Sequence, residues 1–313
     1  MTSGAPRRST PEPVVPRTLG AALGLMLERW VNEPPDRVHP VALFGRVMNR
    51  VERSLYADRR RAGVAHAALG AGIGIGVGAI FGSTTLATLL AVAGRALGHT
   101  ANRIGSALEA EDLEAARSLV PSLVGRDSAS LDAAEIARAV VESVAENTVD
   151  AVVAPALWGA VAGAPGAMGY RAVNTMDSMV GHHSARYEEY GWASARLDDA
   201  VAWVPARVTA GLVALVRPAQ IGNILRAVHT QAAAHPSPNA GVAEAAFAGA
   251  LGVRLGGVSR YGDRCEHRPM LGTGRAPEPA DIARAVRLSR DVGTALAGGL
   301  GLVGGLQMVG RRR

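Results

Sequence analysis

Carboxylates at helical spacing carry the first chemistry of this chain. Glu142, Glu146 and Asp150 recur every four residues, so a helix brings them onto one stripe. Three carboxylates over two turns crowd a helix end whose carbonyls already carry negative partial charge, and a bound cation relieves that conflict. Magnesium suits the position, being a hard ion held by one or two carboxylates together with substrate phosphates. The competing reading is a solvated face on which Arg138 pairs with Glu142 at i,i+4. The surroundings favour a site. The stripe stops at an uncharged segment, 151–170, and a dense polar string follows: Arg171, Asn174, Thr175, Asp177, His182, His183 and Arg186, then Arg196, Asp198 and Asp199. Charged groups set against apolar segments of membrane length are expensive to place and mark functional sites.

Within that string, Asn174, Asp177 and Ser178 stand at i, i+3 and i+4, an amide, an acid and a hydroxyl on one face for metal or phosphate oxygens. His182 and His183 are adjacent and point apart on any regular element, so they do not share a metal; an interfacial hydrogen-bonding role suits them better. Arg186, Arg196 and Arg207 are candidates for phosphate or carboxylate, which a guanidinium binds as a fork. Arg207 is the most telling, because it interrupts an apolar segment. Asp198 and Asp199 either pair with Arg196 or Arg207 or take part in the chemistry. All 33 basic residues are arginine. Without lysine there is neither a Schiff base nor a P-loop. The single cysteine, Cys265, excludes an internal disulfide and a cysteine-rich zinc site.

The elements that must position these groups are apolar helices. Of the 313 residues, 48% are hydrophobic but only 4% aromatic, and 38 are glycine. Small apolar residues let helices approach closely in a membrane. Segment 67–94 carries no charge; as one helix it would rise about 42 Å, more than the roughly 30 Å hydrocarbon core, so it is a tilted span or a hairpin broken near Ser83-Thr84-Thr85. Gly70, Gly74, Gly78 and Gly82 form one small-residue face within it. Segment 151–170 contains Pro155 and Pro165, breaks tolerated where other protein covers the freed carbonyls. Segments 200–216 and 292–310 follow, the first interrupted by Pro205 and Arg207. The helix that carries the acidic stripe is expected over 131–150, capped by Asp132 with Glu135.

The expectation is an all-α, polytopic integral membrane protein with polar helical loops. A disordered tail covers 1–17, and one membrane domain covers 18–313 with a polar insertion at about 217–291. That insertion contains a helical run over 241–255, and no β-alternation of useful length is visible. The net charge of +6 gathers at Arg59–Arg61 and Arg311–Arg313, beside apolar runs, as on cytoplasmic flanks of spans, and not on a nucleic-acid surface.

Several strings, taken together and in order, resemble the CobD/CbiB family of cobalamin biosynthesis, the membrane-bound adenosylcobinamide-phosphate synthases. They include His39-Pro40-Val41, Gly125-Arg126-Asp127, Glu142-Ser-Val-Ala-Glu146-Asn147 with Asp150, Asn174-Thr175-Met-Asp177-Ser178-Met-Val-Gly181, Ala195-Arg196-Leu-Asp198-Asp199, Pro205-Ala-Arg207 and Ser237-Pro-Asn239-Ala-Gly241. The family's Gly-Asp-Pro before His-Pro is replaced here by Asn32-Glu33-Pro34. The resemblance implies an acid–amine ligase in the cell membrane that uses ATP and Mg2+ to join aminopropanol or its phosphate to a propionate of adenosylcobyric acid. Residue type and placement suggest catalytic roles for Glu142, Glu146 and Asp177, metal ligation by Glu146, Asn147 and Asp150, and substrate or phosphate binding by Arg126, Arg171, Asn174, Arg196, Arg207 and Asn239. The ligase's partners would be the corrinoid, the amine and the lipid bilayer, with a partner subunit or a second copy of the chain as further possibilities. The sequence carries no recognisable ATP-binding fold.

Three other readings compete. A transporter or assembly factor for corrinoid intermediates would line a path with its intramembrane charges, but spans are few and the polar region is large. CDP-alcohol phosphotransferases share the ingredients Asp177, Gly181, Arg186 and Asp198, at other spacings. A soluble all-α binding protein would need the apolar segments as its core.

Overall fold

The computed structural model describes residues 15–31, 37, 39–124, 128–182, 184–261 and 264–310, with the backbone alone for 258–261 and 264–266. The expected tail lies outside this range up to residue 14, as do Arg126, His183, the Asn32-Glu33-Pro34 string and Arg311–Arg313. Among the described residues the helices are α1 (Arg17–Leu27), α2 (Pro40–Leu55), α3 (Arg60–Phe81), α4 (Thr84–Ala91), α5 (Gly94–Glu109), α6 (Leu113–Leu119), α7 (Ala133–Thr148), α8 (Ala154–Val180), α9 (Trp192–Val216), α10 (Ile221–Thr230), α11 (Ala240–Leu251) and α12 (Pro279–Gly310). An antiparallel hairpin, β1 (Leu255–Tyr261) and β2 (Arg264–Leu271), precedes α12. The molecule is an all-α polytopic membrane protein: four helical stretches are long and apolar enough to cross a bilayer, namely Arg60–Phe81, Ala133–Val180, Trp192–Val216 and Pro279–Gly310.

α8 is the hub, packed by α1, α3, α4 and α9. Its contact with α3 uses the glycine face read from the sequence. A Cβ on Gly70 would run into Met176, one on Gly74 into the Met168 carbonyl at 2.8 Å, and one on Gly78 into Pro165 Cα at 2.7 Å. Gly82 does something else: at φ 63° it ends α3 in the left-handed conformation. Ser83 then caps α4 by accepting from the Leu86 amide at 3.3 Å. The long apolar segment is therefore a broken hairpin and not a tilted span.

The helix-breaking prolines are compensated. Pro165 cannot donate to the Val161 carbonyl, and the Arg17 guanidinium reaches that oxygen at 3.4 Å. Gly163, at φ 71°, provides the kink. Pro205 sits inside α9 and leaves the Val201 carbonyl without its helical donor; the Trp158 indole N–H donates to it at 3.0 Å.

α7 begins with the expected capping box, Asp132 with Glu135. It ends at Thr148 and not at Asp150, because a π-helical turn, Val149–Val153, joins α7 to α8. The region read as a polar insertion holds a wholly buried helix: every residue of α11 is buried, among α7, α9 and α10. It stops at Leu251, where Gly252 (φ 69°) closes it, short of the 255 expected.

The hairpin has no counterpart in the sequence expectation, and neither do the helices α1, α2, α5, α6 and α10. Gly256 and Gly257 have φ of 87° and 94°, and the register slips there, so side-chain alternation never develops. α7 holds its root: the Glu142 carboxylate accepts from the Gly256 amide at 2.8 Å, and the Arg138 guanidinium donates to the Gly256 carbonyl.

Candidate functional site

Five elements converge on a cavity of about 160 Å3 at the end of the bundle where α8 closes and α9 opens. The π-turn brings Asp150, and the last turn of α7 brings Glu146. The last turn of α8 brings Asp177. The first turns of α9 bring Asp198 and Asp199, and the start of α11 brings Asn239. Five carboxylates thus ring one small space, close enough to repel one another. Two features offset that repulsion. The N-termini of α9 and α11 both point positive partial charge toward this end of the bundle, and neutral donors hold individual oxygens.

Those donors are specific. The Tyr170 hydroxyl donates to Asp150 Oδ1 at 3.2 Å, and the Asn174 amide donates to Asp198 Oδ1 at 3.4 Å. Arg171 in turn donates to Asn174 Oδ1 at 3.4 Å. On the other wall Arg207 donates to Asn239 Oδ1 at 3.0 Å, while the Asn239 amide donates to the Asp199 carbonyl at 2.9 Å. Arg207 also stacks on Trp203, with its guanidinium carbon 4.3 Å from the ring centroid. Arg196 approaches Asp199 at 4.0 Å with its side chain mostly exposed.

Of the residues singled out from the sequence, Glu146, Asp150, Asp177 and Asn239 line the cavity. Asn174, Arg171, Arg207 and Arg196 form its supports, in direct contact with lining residues or one bond removed. Glu142 does not line it: this carboxylate is buried, not on a solvated face, and holds the hairpin root. Asn147 turns back to its own helix, donating to the Ser143 carbonyl at 2.9 Å. The pair Asp198–Asp199, left open from sequence, lines the cavity. Tyr170 closes the uncharged segment and opens the polar string, with no role of its own expected; its hydroxyl, four residues before Asn174, is the available signal.

Among the described residues no three or more His, Cys, Asp or Glu side chains form a ready-made metal cage. The donor set nevertheless fits magnesium. It is all hard oxygen, carries excess negative charge, and leaves room for the waters and phosphate oxygens that magnesium retains.

Fold and cavity together define a polytopic helical membrane protein with a carboxylate-lined cavity at one end of its bundle. The family model described as CobD/Cbib protein matches residues 21–289. The chain belongs to the CobD/CbiB family. It is 48% identical over 289 residues to the cobalamin biosynthesis protein CobD of Mycobacterium tuberculosis, covering 88% of this chain and 92% of that one. It is 43% identical over 283 residues to the protein of the same name from Chromobacterium violaceum, covering 85% and 90%. With that of Rhodobacter capsulatus it shares 50% identity over 200 residues, 64% and 63% of the two chains. No solved structure matches it.

Proposed function

We propose that this protein is the amide-forming ligase of cobalamin biosynthesis, joining aminopropanol or its phosphate to a propionate side chain of adenosylcobyric acid at the expense of ATP. Family membership gives the pathway and a corrinoid-handling, membrane-associated enzyme. The observation that carries the reaction type is the convergence of Glu146, Asp150, Asp177, Asp198 and Asp199 with two asparagines and Arg207.

A carboxylate and an amine do not condense at useful rates in water, so the acid must be activated. In the simplest scheme a propionate oxygen attacks the γ-phosphorus of ATP, ADP leaves, and an acyl phosphate forms. The amine nitrogen then attacks the acyl carbon, its proton goes to an enzyme carboxylate, and inorganic phosphate departs. Magnesium bound with the nucleotide would neutralise phosphate charge as a Lewis acid, with Glu146 and Asp150 as its protein ligands. Asp177, on the facing wall, is the candidate to accept the amine proton. Tyr170 and Asn174 fix two carboxylates without adding charge, and Arg207, steadied by Asn239 and Trp203, presents a guanidinium to phosphate or propionate. The apolar helices around the cavity keep water from the activated acyl group.

The test is ligation by detergent-purified protein given adenosylcobyric acid, aminopropanol phosphate, ATP and magnesium, with amide product and ADP measured together. Product from the wild type and none from Glu146→Gln supports the reading. A folded wild type that binds corrinoid yet releases neither product nor ADP overturns it and favours a transport or scaffold role.

A further inference from the structure

A second polar cavity, of about 360 Å3, opens on the other side of the π-turn, between α1, α5 and α12. Val152 lines it, two residues from Asp150, which lines the acidic cavity. Its charge is opposite. Arg29, Arg95 and Arg290 all line it, against one carboxylate, Glu28. Glu28 is drawn to the backbone of α5, accepting from the Arg95 amide at 2.7 Å. The other nearby acid, Asp291, is held by Arg217 at 2.7 Å.

We propose that this cavity binds a phosphate group, gripped by Arg29, Arg95 and Arg290 at the N-terminus of α5. Among the described residues, none of the arginines expected from the sequence to bind phosphate lies here. Arg29 is fixed by donating to the Arg290 carbonyl at 2.7 Å and to Thr294 Oγ1 at 2.8 Å, so it is already oriented. The side chains of Arg95 and Arg290 have no hydrogen-bond or ion-pair partner among the described residues and are exposed. Burial presses the Arg29 pKa below its ordinary value, and Arg290 lies close enough to Arg29 to repel it further. An anion between them removes that repulsion. Guanidinium forks match phosphate oxygens, and the α5 N-terminus adds its positive partial charge. At the rim stands Trp30, 81% exposed, beside exposed Leu27 and Val31. An aromatic beside an arginine pocket is the arrangement of a membrane–water interface. The phosphate therefore arrives either on a phospholipid headgroup or on a soluble phosphate ester.

The experiment compares full-length wild type with Arg95→Gln/Arg290→Gln, leaving Arg29 to tie α1 to α12. An equal-charge control, Arg50→Gln/Arg53→Gln, changes exposed arginines elsewhere. Thermal unfolding is followed in phosphatidylcholine nanodiscs, in discs containing phosphatidylglycerol, and in phosphatidylcholine discs with soluble phosphoethanolamine. Stabilisation of wild type and control by phosphatidylglycerol, with apparent affinity about thirtyfold weaker in the pocket variant, supports a headgroup site. The same pattern with phosphoethanolamine alone supports a soluble ester. No stabilisation by either probe, or equal loss in pocket variant and control, overturns the proposal.

Discussion

The Glu142 carboxylate meets the Gly256 amide at 2.8 Å, anchoring the β-hairpin to α7 outside the acidic cavity. Glu142 is only one turn before Glu146, yet the two act in different places. Four residues of helix overshoot a full turn by about 40°, and the drift doubles by Asp150. Glu142 faces the hairpin, Glu146 faces the cavity, and the π-turn then re-aims Asp150 into it.

That geometry separates two kinds of loss. Glu142→Ala leaves a buried N–H without its acceptor, at a cost of about 1–3 kcal/mol. Glu142→Gln keeps a carbonyl oxygen at the position and costs less. Both variants are expected to retain ligation per folded molecule at low temperature while the alanine variant unfolds at lower temperature. Thermal melts paired with ligation rates check this; a folded Glu142→Gln that is inactive would place Glu142 in the chemistry.

Asp150 and its donor should separate along another axis. Asp150→Asn is expected to abolish most ligation, and Tyr170→Phe to raise the magnesium concentration needed for half-maximal rate by about tenfold, as removal of a supporting contact to a metal ligand does. Magnesium titrations of the ligation rate decide it. A Tyr170→Phe variant with unchanged magnesium dependence would mean that the 3.2 Å bond does not tune a metal ligand.

Much of the fold could be read from local chemistry. The Asp132–Glu135 capping box, the break after Gly82 and the need to cover the carbonyls opposite Pro165 and Pro205 are all decided within a few residues of sequence. What stayed hidden is tertiary. Nothing local says that Asp198 and Asp199 face Asp150, some fifty residues earlier, or that Asn239 closes the same space. The hairpin escaped because Gly256 and Gly257 erase its alternation; the helix of α11 was legible over 241–255, but not its burial, because its twelve buried residues are averaged with charged neighbours over 217–291. The π-turn has no sequence signature of its own; its polar residue, Asp150, was legible only as a member of the stripe.

The loop between α8 and α9 yields a prediction in pH. Tyr190 is fully buried, stacked near Tyr56 and His66, and its hydroxyl has no partner among the described residues. Burial, with the nearby Glu52 charge, pushes its pKa up to about 12. The unfolded chain ionises this phenol near 10, about two units earlier. Between those values the unfolded state holds fewer protons, so stability falls as pH rises through that window and is unaffected below it. Absorbance titration should show a late phenolate step, lost in Tyr190→Phe, and the decline in melting temperature above pH 10 should be shallower in that variant.

The two glycine faces of α3 should respond oppositely to the same substitution. Gly74 and Gly78 touch α8: a methyl on Gly78 would lie 2.7 Å from Pro165 Cα, and one on Gly74 2.8 Å from the Met168 carbonyl. These are backbone atoms that cannot swing aside, so α3 must move off α8 and lose the packing that holds the span. Gly72 and Gly76 have nothing within 4 Å, and alanine there removes backbone freedom from the unfolded chain, a gain of about 0.5–1 kcal/mol in a helix interior. Gly78→Ala is expected to lower the melting temperature in detergent and to reduce ligation, since α8 carries Asp177. Gly76→Ala should leave both unchanged or raise the melting temperature. If the two substitutions behave alike, α3 does not pack on α8 through this face.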